Sequence, residues 1–345
     1  MKRLFLSACC LVAACCALCA QEATGRVQAV IVSGGMNKLM NHERYFNDCA
    51  FLYRTLREDC GLAKDDITLL MSDGGAPGLD MLPAGGTAFA SSPDDLDADG
   101  ERDVWLPATL EQLEATLTQL AERLTANDRL LLFVVDHGGT DDGQSFAWMW
   151  GSQRLYAEQL AALLDAFHVA SMAVAMELCY SGGFIDDLRG DGRVVVTSCA
   201  EGELSWACRD RPYDEFIYHF TCAMAGHDTE GNAVAADTDA DGSVSVAEAF
   251  DYARQHDRRE ETPQYCSVPE SLGQQWTLTQ KRGNGIKTMK AERDNCPDTD
   301  CYDLLGRRVS PTTAAPGRLP YRKPVILVSP QGQRVTATAT LNIKK

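Results

Sequence analysis

Three runs constrain this chain more than anything else in it. Leu130-Leu131-Leu132-Phe133-Val134-Val135, Ala170 to Leu178 and Arg193-Val194-Val195-Val196-Thr197 are apolar almost throughout. A strand with one wet face alternates polar and apolar residues, whereas a strand without polar positions must be covered on both faces. Val27 to Val32 and Ile67 to Met71 read the same way. Between these runs lie segments with helical spacing. His42 to Cys60 carries Tyr45, Phe46, Cys49, Leu52, Tyr53 and Leu56 on one face, with Gly61 as its stop. Helices are also predicted over Thr109 to Leu124, Ala157 to Phe167, Asp214 to Ala225 and Val246 to Gln255. Such alternation predicts an α/β domain over residues 26–281, a mostly parallel sheet between two helical layers. Residues 73–105 form a long Gly-, Pro- and Asp-rich segment, a length of irregular chain that usually serves a function.

Composition excludes one large class of partner. The formal net charge is −17, with no dense Lys/Arg stretch, so nucleic acid is not expected. Met1-Lys2-Arg3, then an uncharged apolar run to Ala20, reads as a secretory signal peptide over residues 1–20. Lipidation at Cys15 is the alternative, because small residues precede it. No later stretch is long and apolar enough to span a bilayer. The chain is therefore expected outside the cell or on its surface, with the periplasm as the other option. Of fourteen cysteines, five lie in that leader. The odd remainder suggests one free thiol in an exported chain, with Cys49 and Cys222 as buried apolar fillers.

In parallel sheets, active sites lie outside the carboxyl ends of the strands. Two predicted strands end in reactive residues there: Val135-Asp136-His137-Gly138-Gly139 and Met176-Glu177-Leu178-Cys179-Tyr180-Ser181-Gly182-Gly183. One strand–helix–strand crossover separates them, and such crossovers often join neighbours. A cysteine nucleophile needs an imidazole to take its proton and later protonate the leaving amine. The amides of Gly138 and Cys179 are candidates for an oxyanion hole.

Asp136-His137-Gly138-Gly139 with Glu177-Leu178-Cys179-Tyr180-Ser181-Gly182 resembles the legumain-like peptidases of the caspase–haemoglobinase group. Val30 to Gly35, Arg44-Tyr45-Phe46-Asn47-Asp48 and Thr197 to Trp206 extend the resemblance. It implies a three-layer α/β/α sandwich around a six-stranded sheet, and peptide hydrolysis after Asn or Asp. It also implies a specificity pocket from Arg44, Glu177 and an acid at Asp214 or Glu215, with Glu203 and Ser205 lining the cleft. The segment before Arg44 departs from the legumain pattern. A transpeptidase on the same site and an inactive surface binding module are the alternative functions.

Asp237-Thr238-Asp239-Ala240-Asp241-Gly242-Ser243-Val244-Ser245-Val246-Ala247-Glu248 carries the residues of a calcium loop at each key position. Asp237, Asp239, Asp241, Ser243 and Glu248 are the expected ligands, and no helix immediately precedes the loop. Asp95, Asp97, Asp99 and Asp103 form a second candidate that lacks the final glutamate. Both are expected to hold structural Ca2+, and no organic cofactor is expected. Residues 282–295 read as a linker. Residues 296–345 resemble the small β-rich sorting tail of the bacterial type IX secretion route, which implies the secretion machinery as a partner beside a protein or peptide substrate. Cys296 and Cys301 are a possible pair within it.

Overall fold

The computed structural model describes residues 25–278, together with the backbone of four short strands further on. The expected signal segment and linker lie outside the described residues. The chain divides into two units, one up to residue 283 and one from 284 onward.

The first unit is built on a six-stranded sheet of β1 (Val27–Ser33), β2 (Ile67–Met71), β3 (Arg129–Val135), β7 (Ser171–Glu177), β8 (Arg193–Thr197) and β9 (Gln264–Val268). Its order is β2-β1-β3-β7-β8-β9. The first five strands are parallel, and β9 runs antiparallel to β8. The central strands are buried on both faces, and alternate residues feed separate cores. Ala29, Ile31, Phe133 and Val196 pack with α1 (Glu43–Arg54), α5 (Glu215–Ala225) and α6 (Val246–His256). Val30, Val32, Leu132 and Val174 pack with α2 (Leu110–Arg123), α3 (Ala157–Asp165) and α4 (Ile185–Leu188). This is the expected three-layer α/β/α, caspase-like arrangement.

Local chemistry sets the helix ends. The Thr109 hydroxyl accepts from the Gln112 N–H at 3.2 Å and starts α2. Gly226, at φ 74°, ends α5. The predicted helix to Cys60 is regular only as far as Arg54, beyond which Thr55–Asp59 widens into a π-helical turn.

A three-stranded antiparallel meander leaves β3: β4 (Gly138–Asp141), β5 (Gln144–Met149) and β6 (Gln153–Tyr156). Among the described residues, Cys49, Cys179, Cys199, Cys208, Cys222 and Cys266 are free thiols, so the expectation of a single free thiol does not hold for them. Cys49 and Cys222 are buried, as expected. In the second unit, β10 (Cys301–Tyr302), β11 (Arg308–Val309), β12 (Arg322–Val328) and β13 (Arg334–Thr340) form an antiparallel sheet ordered β11-β10-β12-β13. The suggested Cys296–Cys301 pair lies outside the residues whose side chains are described.

Candidate active site

β1 is flanked by β2 on one side and β3 on the other, so the loops leaving β1 and β3 diverge at a switch point of the sheet. β3 and β7 are neighbours, with Val135 opposite Glu177. The Asp136 N–H donates to the Glu177 carbonyl at 3.0 Å, which carries the pairing past the last strand residues. His137 and Cys179 therefore leave adjacent strands at the same end of the sheet.

Gly138 shows how close the two chains run. A Cβ on it would lie 1.9 Å from the Cys179 carbonyl oxygen. Only glycine permits that approach.

Asp136 anchors the turn. Its buried carboxylate accepts from the N–H groups of Gly34, Gly35 and His137 at 2.6, 2.8 and 2.6 Å. Burial pushes it up to about 8, against the pull of those three donors. Asp136 thus ties the end of β1 to the end of β3.

The two reactive side chains rest on separate carbonyls. His137 Nε2 lies 3.0 Å from the Met40 oxygen, so it is the donor in this arrangement. The Cys179 thiol donates to the Ser205 carbonyl at 3.7 Å. The His137 ring packs edge-on against Tyr45 and His42, with centroids 5.2 and 5.4 Å away. Burial lowers His137 below its ordinary value, and burial raises the Cys179 thiol above its own. At neutral pH this geometry holds an imidazole and a thiol rather than an ion pair. His42 is pushed down to about 4 by burial, Arg44 and His137, so it adds no charge.

Beside them sits a cluster of buried charge. Arg44 Nε donates to Asp214 Oδ1 at 2.7 Å, and Arg44 Nη2 to the Tyr45 hydroxyl at 3.0 Å. The Asp214 N–H donates to the Asp48 carboxylate at 3.1 Å. Glu177 Oε2 accepts from the Ile217 N–H at 3.0 Å, and Oε1 accepts a very short bond from the Ser205 hydroxyl. Burial raises Asp48, Glu177 and Asp214, and Asp214 opposes the charge of the other two. Arg44 pulls Asp214 the other way. One guanidinium cannot neutralise three buried carboxylates, so the cluster holds protons at neutral pH. The Asp48 and Asp214 side chains also meet directly, a carboxyl–carboxylate bond in which Asp48 keeps the proton.

The structure brings Arg44, Glu177, Ser205 and Asp214 together, and adds Asp48, which sequence reasoning missed. It turns two other predicted residues elsewhere. Glu215 accepts from the Arg258 N–H at 3.1 Å. Glu203 accepts from the Thr262 N–H and hydroxyl at 2.7 and 2.9 Å, although its carbonyl holds the Tyr180 N–H. Glu261 was also missed. It accepts from the Trp206 N–H at 3.0 Å, and burial with Glu177 and Asp257 pushes it up to about 11. Exposed apolar side chains flank the site: Leu39 (60%) and Met40 (36%) on the His137 side, Leu204 (43%) and Trp206 (38%) on the Cys179 side.

The two acidic loops share one backbone form. Ala98 and Ala240 stand at φ 60° and 59°, and Gly100 and Gly242 both at 89°. The Gly100 N–H donates to Asp95 at 2.9 Å and the Gly242 N–H to Asp237 at 3.0 Å. Carboxylate oxygens of Asp95, Asp97 and Asp99 lie within 4.8 Å of one another, as do those of Asp237, Asp239 and Glu248. Asp95 Oδ1 and Asp237 Oδ1 are buried without a hydrogen-bond partner among the described residues. Asp103 is engaged elsewhere, accepting from Lys64 Nζ, the Leu96 N–H and the Tyr53 hydroxyl at 2.6, 2.7 and 2.8 Å. Asp241 and Ser243 do not join the three-carboxylate group; Asp241 accepts from the Ser243 N–H at 2.8 Å.

None of the curated proteins matches the chain. Among solved structures it is similar to the crystal structure of protein GSU0716 from Geobacter sulfurreducens. The TM-score is 0.43 and the identity 13%, over 70% of this chain and 93% of that one. Residues 111–277, just under half of the chain, match the model of the peptidase C13 family. The matched segment contains both His137 and Cys179.

Proposed function

We propose that this protein is an exported cysteine endopeptidase that works through His137 and Cys179. The observation that carries the reading is their emergence from the carboxyl ends of adjacent, in-register strands. The neutral His137 takes the Cys179 proton as the sulfur attacks the peptide carbonyl, then gives it to the departing amine. Water hydrolyses the acyl-enzyme by the reverse exchange. The Gly138 and Cys179 amides are the proposed donors to the oxyanion.

Arg44, Glu177 and Asp214 shape the proposed specificity pocket. A site with one guanidinium and three buried acids has no room for another carboxylate, which favours Asn over Asp before the cleaved bond. A carboxamide also offers N–H groups to the acids of the pocket and an oxygen to Arg44. The test is cleavage of a peptide library varied at that residue, beside a Cys179→Ala variant. Cleavage after Asn that the variant lacks supports the reading, and an intact library sinks it. An added amine nucleophile in the same assay detects peptide transfer, the alternative reaction.

Ca2+ is the proposed structural ion. The donor set suits it: hard oxygens, a sharp turn at Gly242 and an unpartnered Asp237 oxygen. Glu248 now accepts from the Thr238 and Ser245 N–H groups at 2.7 and 2.9 Å, and it would exchange part of that bonding for the ion. The 95–99 group, without a terminal glutamate, is the weaker of the two. Export through a sorting tail at 296–345 remains part of the proposal, supported by the sequence of that tail. Among the described residues no helix is long and apolar enough to cross a membrane.

A further inference from the structure

A guanidinium-rich cavity of about 280 Å³ opens along the chain that follows Ser205, the residue whose carbonyl receives the Cys179 thiol. Arg209, Arg211, Arg258 and Arg259 line it, with Asp210, Glu215 and His219. Four arginines in one cavity are out of keeping with a chain of net charge −17.

The acids of the cavity are already engaged. Asp210 accepts two bonds from Arg211, each 3.0 Å. Glu215 accepts from the Arg258 N–H at 3.1 Å and lies 3.8 Å from His219 Nε2. The guanidinium groups of Arg209, Arg258 and Arg259 have no carboxylate within ion-pair distance among the described residues. Three cations are thus left without a carboxylate partner.

Their position links them to the nucleophile. Arg259 stacks over the exposed Trp206 ring, 5.1 Å from its centroid. Trp206 follows Ser205, whose carbonyl receives the Cys179 thiol. The Trp206 carbonyl in turn accepts from the Glu215 N–H at 3.0 Å. Adjacent residues therefore meet the thiol, at Ser205, and a guanidinium of the cavity, at Trp206. Leu204 and Trp206 add apolar surface along it, which suits a polypeptide rather than a small anion.

We propose that this cavity selects the substrate: it binds acidic side chains that lie near the cleaved bond of a polypeptide. The proposal rests on the peptidase reading of His137 and Cys179. The acidic body of the enzyme repels such a chain at long range. That repulsion fades beyond about 10 Å in 0.1 M salt, so unpaired arginines at the cleft decide the outcome. Guanidinium forks match carboxylates with paired hydrogen bonds.

The test uses the full chain with Cys179→Ala, so that binding is read without turnover. Fluorescence anisotropy compares two peptides that differ only in a Glu-Glu or Gln-Gln pair, with the pair walked along either side of an Asn. The expected result is about tenfold tighter binding of the Glu-Glu peptide at its best position, lost in added salt. Arg209→Glu with Arg258→Glu should abolish the preference. Arg189→Glu, an exposed arginine in the other helical layer, should keep it. With active enzyme, the double variant should raise KM and leave kcat near its original value. Equal affinity for the two peptides, or a preference that survives the double variant, would overturn the proposal. So would competition by free phosphate with no preference between peptides. A preference for Glu-Glu without any cleavage by the active enzyme would sink the peptidase reading alone.

Discussion

Gly138→Ala should force the ends of β3 and β7 apart. The added Cβ would lie 1.9 Å from the Cys179 oxygen, 3.0 Å from its carbonyl carbon and 2.6 Å from Leu178 Cδ1. An ordinary C···O contact runs to about 3.3 Å, so the backbones must part by roughly 1.4 Å. Neither side yields easily. The nearest atom is backbone, and the Asp136–Glu177 hydrogen bond holds the two chains together just before this point. Overpacking of this kind costs about 1–3 kcal/mol. The larger effect falls on the reaction, since misplacing a catalytic group by 1 Å costs about a hundredfold in rate. Gly139→Ala is the matched comparison, because its Cβ meets the Phe146 ring at 2.5 Å, and a side chain can turn aside. The assay is kcat/KM on the best Asn peptide, with urea unfolding of each variant. Gly138→Ala should lose about two orders of magnitude in kcat/KM while remaining folded. A Gly138→Ala enzyme with unaltered activity, or one less impaired than Gly139→Ala, would refute the close approach on which the site depends.

Further outcomes follow from the site's electrostatics. Burial lowers His137, so the acid limb of kcat/KM should fall below 6.5, with activity lost as pH drops through that lowered value. Burial raises Cys179, so alkylation of the free enzyme should show no thiolate at neutral pH; a titration below 7 would disprove the neutral pair. Arg44→Ala leaves buried carboxylates without their cation and should cost about 3–5 kcal/mol, most of it recovered by adding Asp214→Ala. If Arg44→Ala unfolds like the parent in urea, the buried pair does not stabilise the fold. Calcium at a hundredfold over its Kd should add about 2.7 kcal/mol of stability, seen as a higher Tm that Glu248→Gln abolishes. Burial opposes the Glu248 charge, but donors from Ser245 and Thr238 outweigh it and hold the carboxyl down at about 2. Its contribution is therefore intact above 4.5 and lost as pH falls towards 2, which urea melts across that range will show.

The parallel strands were legible because uninterrupted apolar runs admit few other placements. β2 coincides with its predicted span, and β3 and β7 with theirs to within a residue or so. The meander β4–β6 was not read, although Asp142-Gly143 carries a hairpin signal and both residues have positive φ. The glycines after His137 drew the reading toward catalysis alone. β9 gave little to read: five half-buried residues between two prolines, without a clear period. In the site, strand ends identified His137 and Cys179, and the legumain resemblance pointed to Glu177. Asp48 and Glu261 were invisible because their roles exist only once distant elements meet. Asp136 stood in the motif, yet its bonds to Gly34 and Gly35 bridge about a hundred residues that no local pattern connects.

The reaction pair and the pocket beside it are assembled over very different lengths of chain. His137 and Cys179 end neighbouring strands joined by a single crossover, a loop whose closure entropy is modest and grows only slowly with length. Arg44 and Asp214 stand 170 residues apart and meet only when the first helix packs on the fifth. Chemistry in this fold is a local product, and selectivity is a property of the whole domain. Loosening of the first helix from the fifth would thus blunt the choice of substrate before it touched the nucleophile.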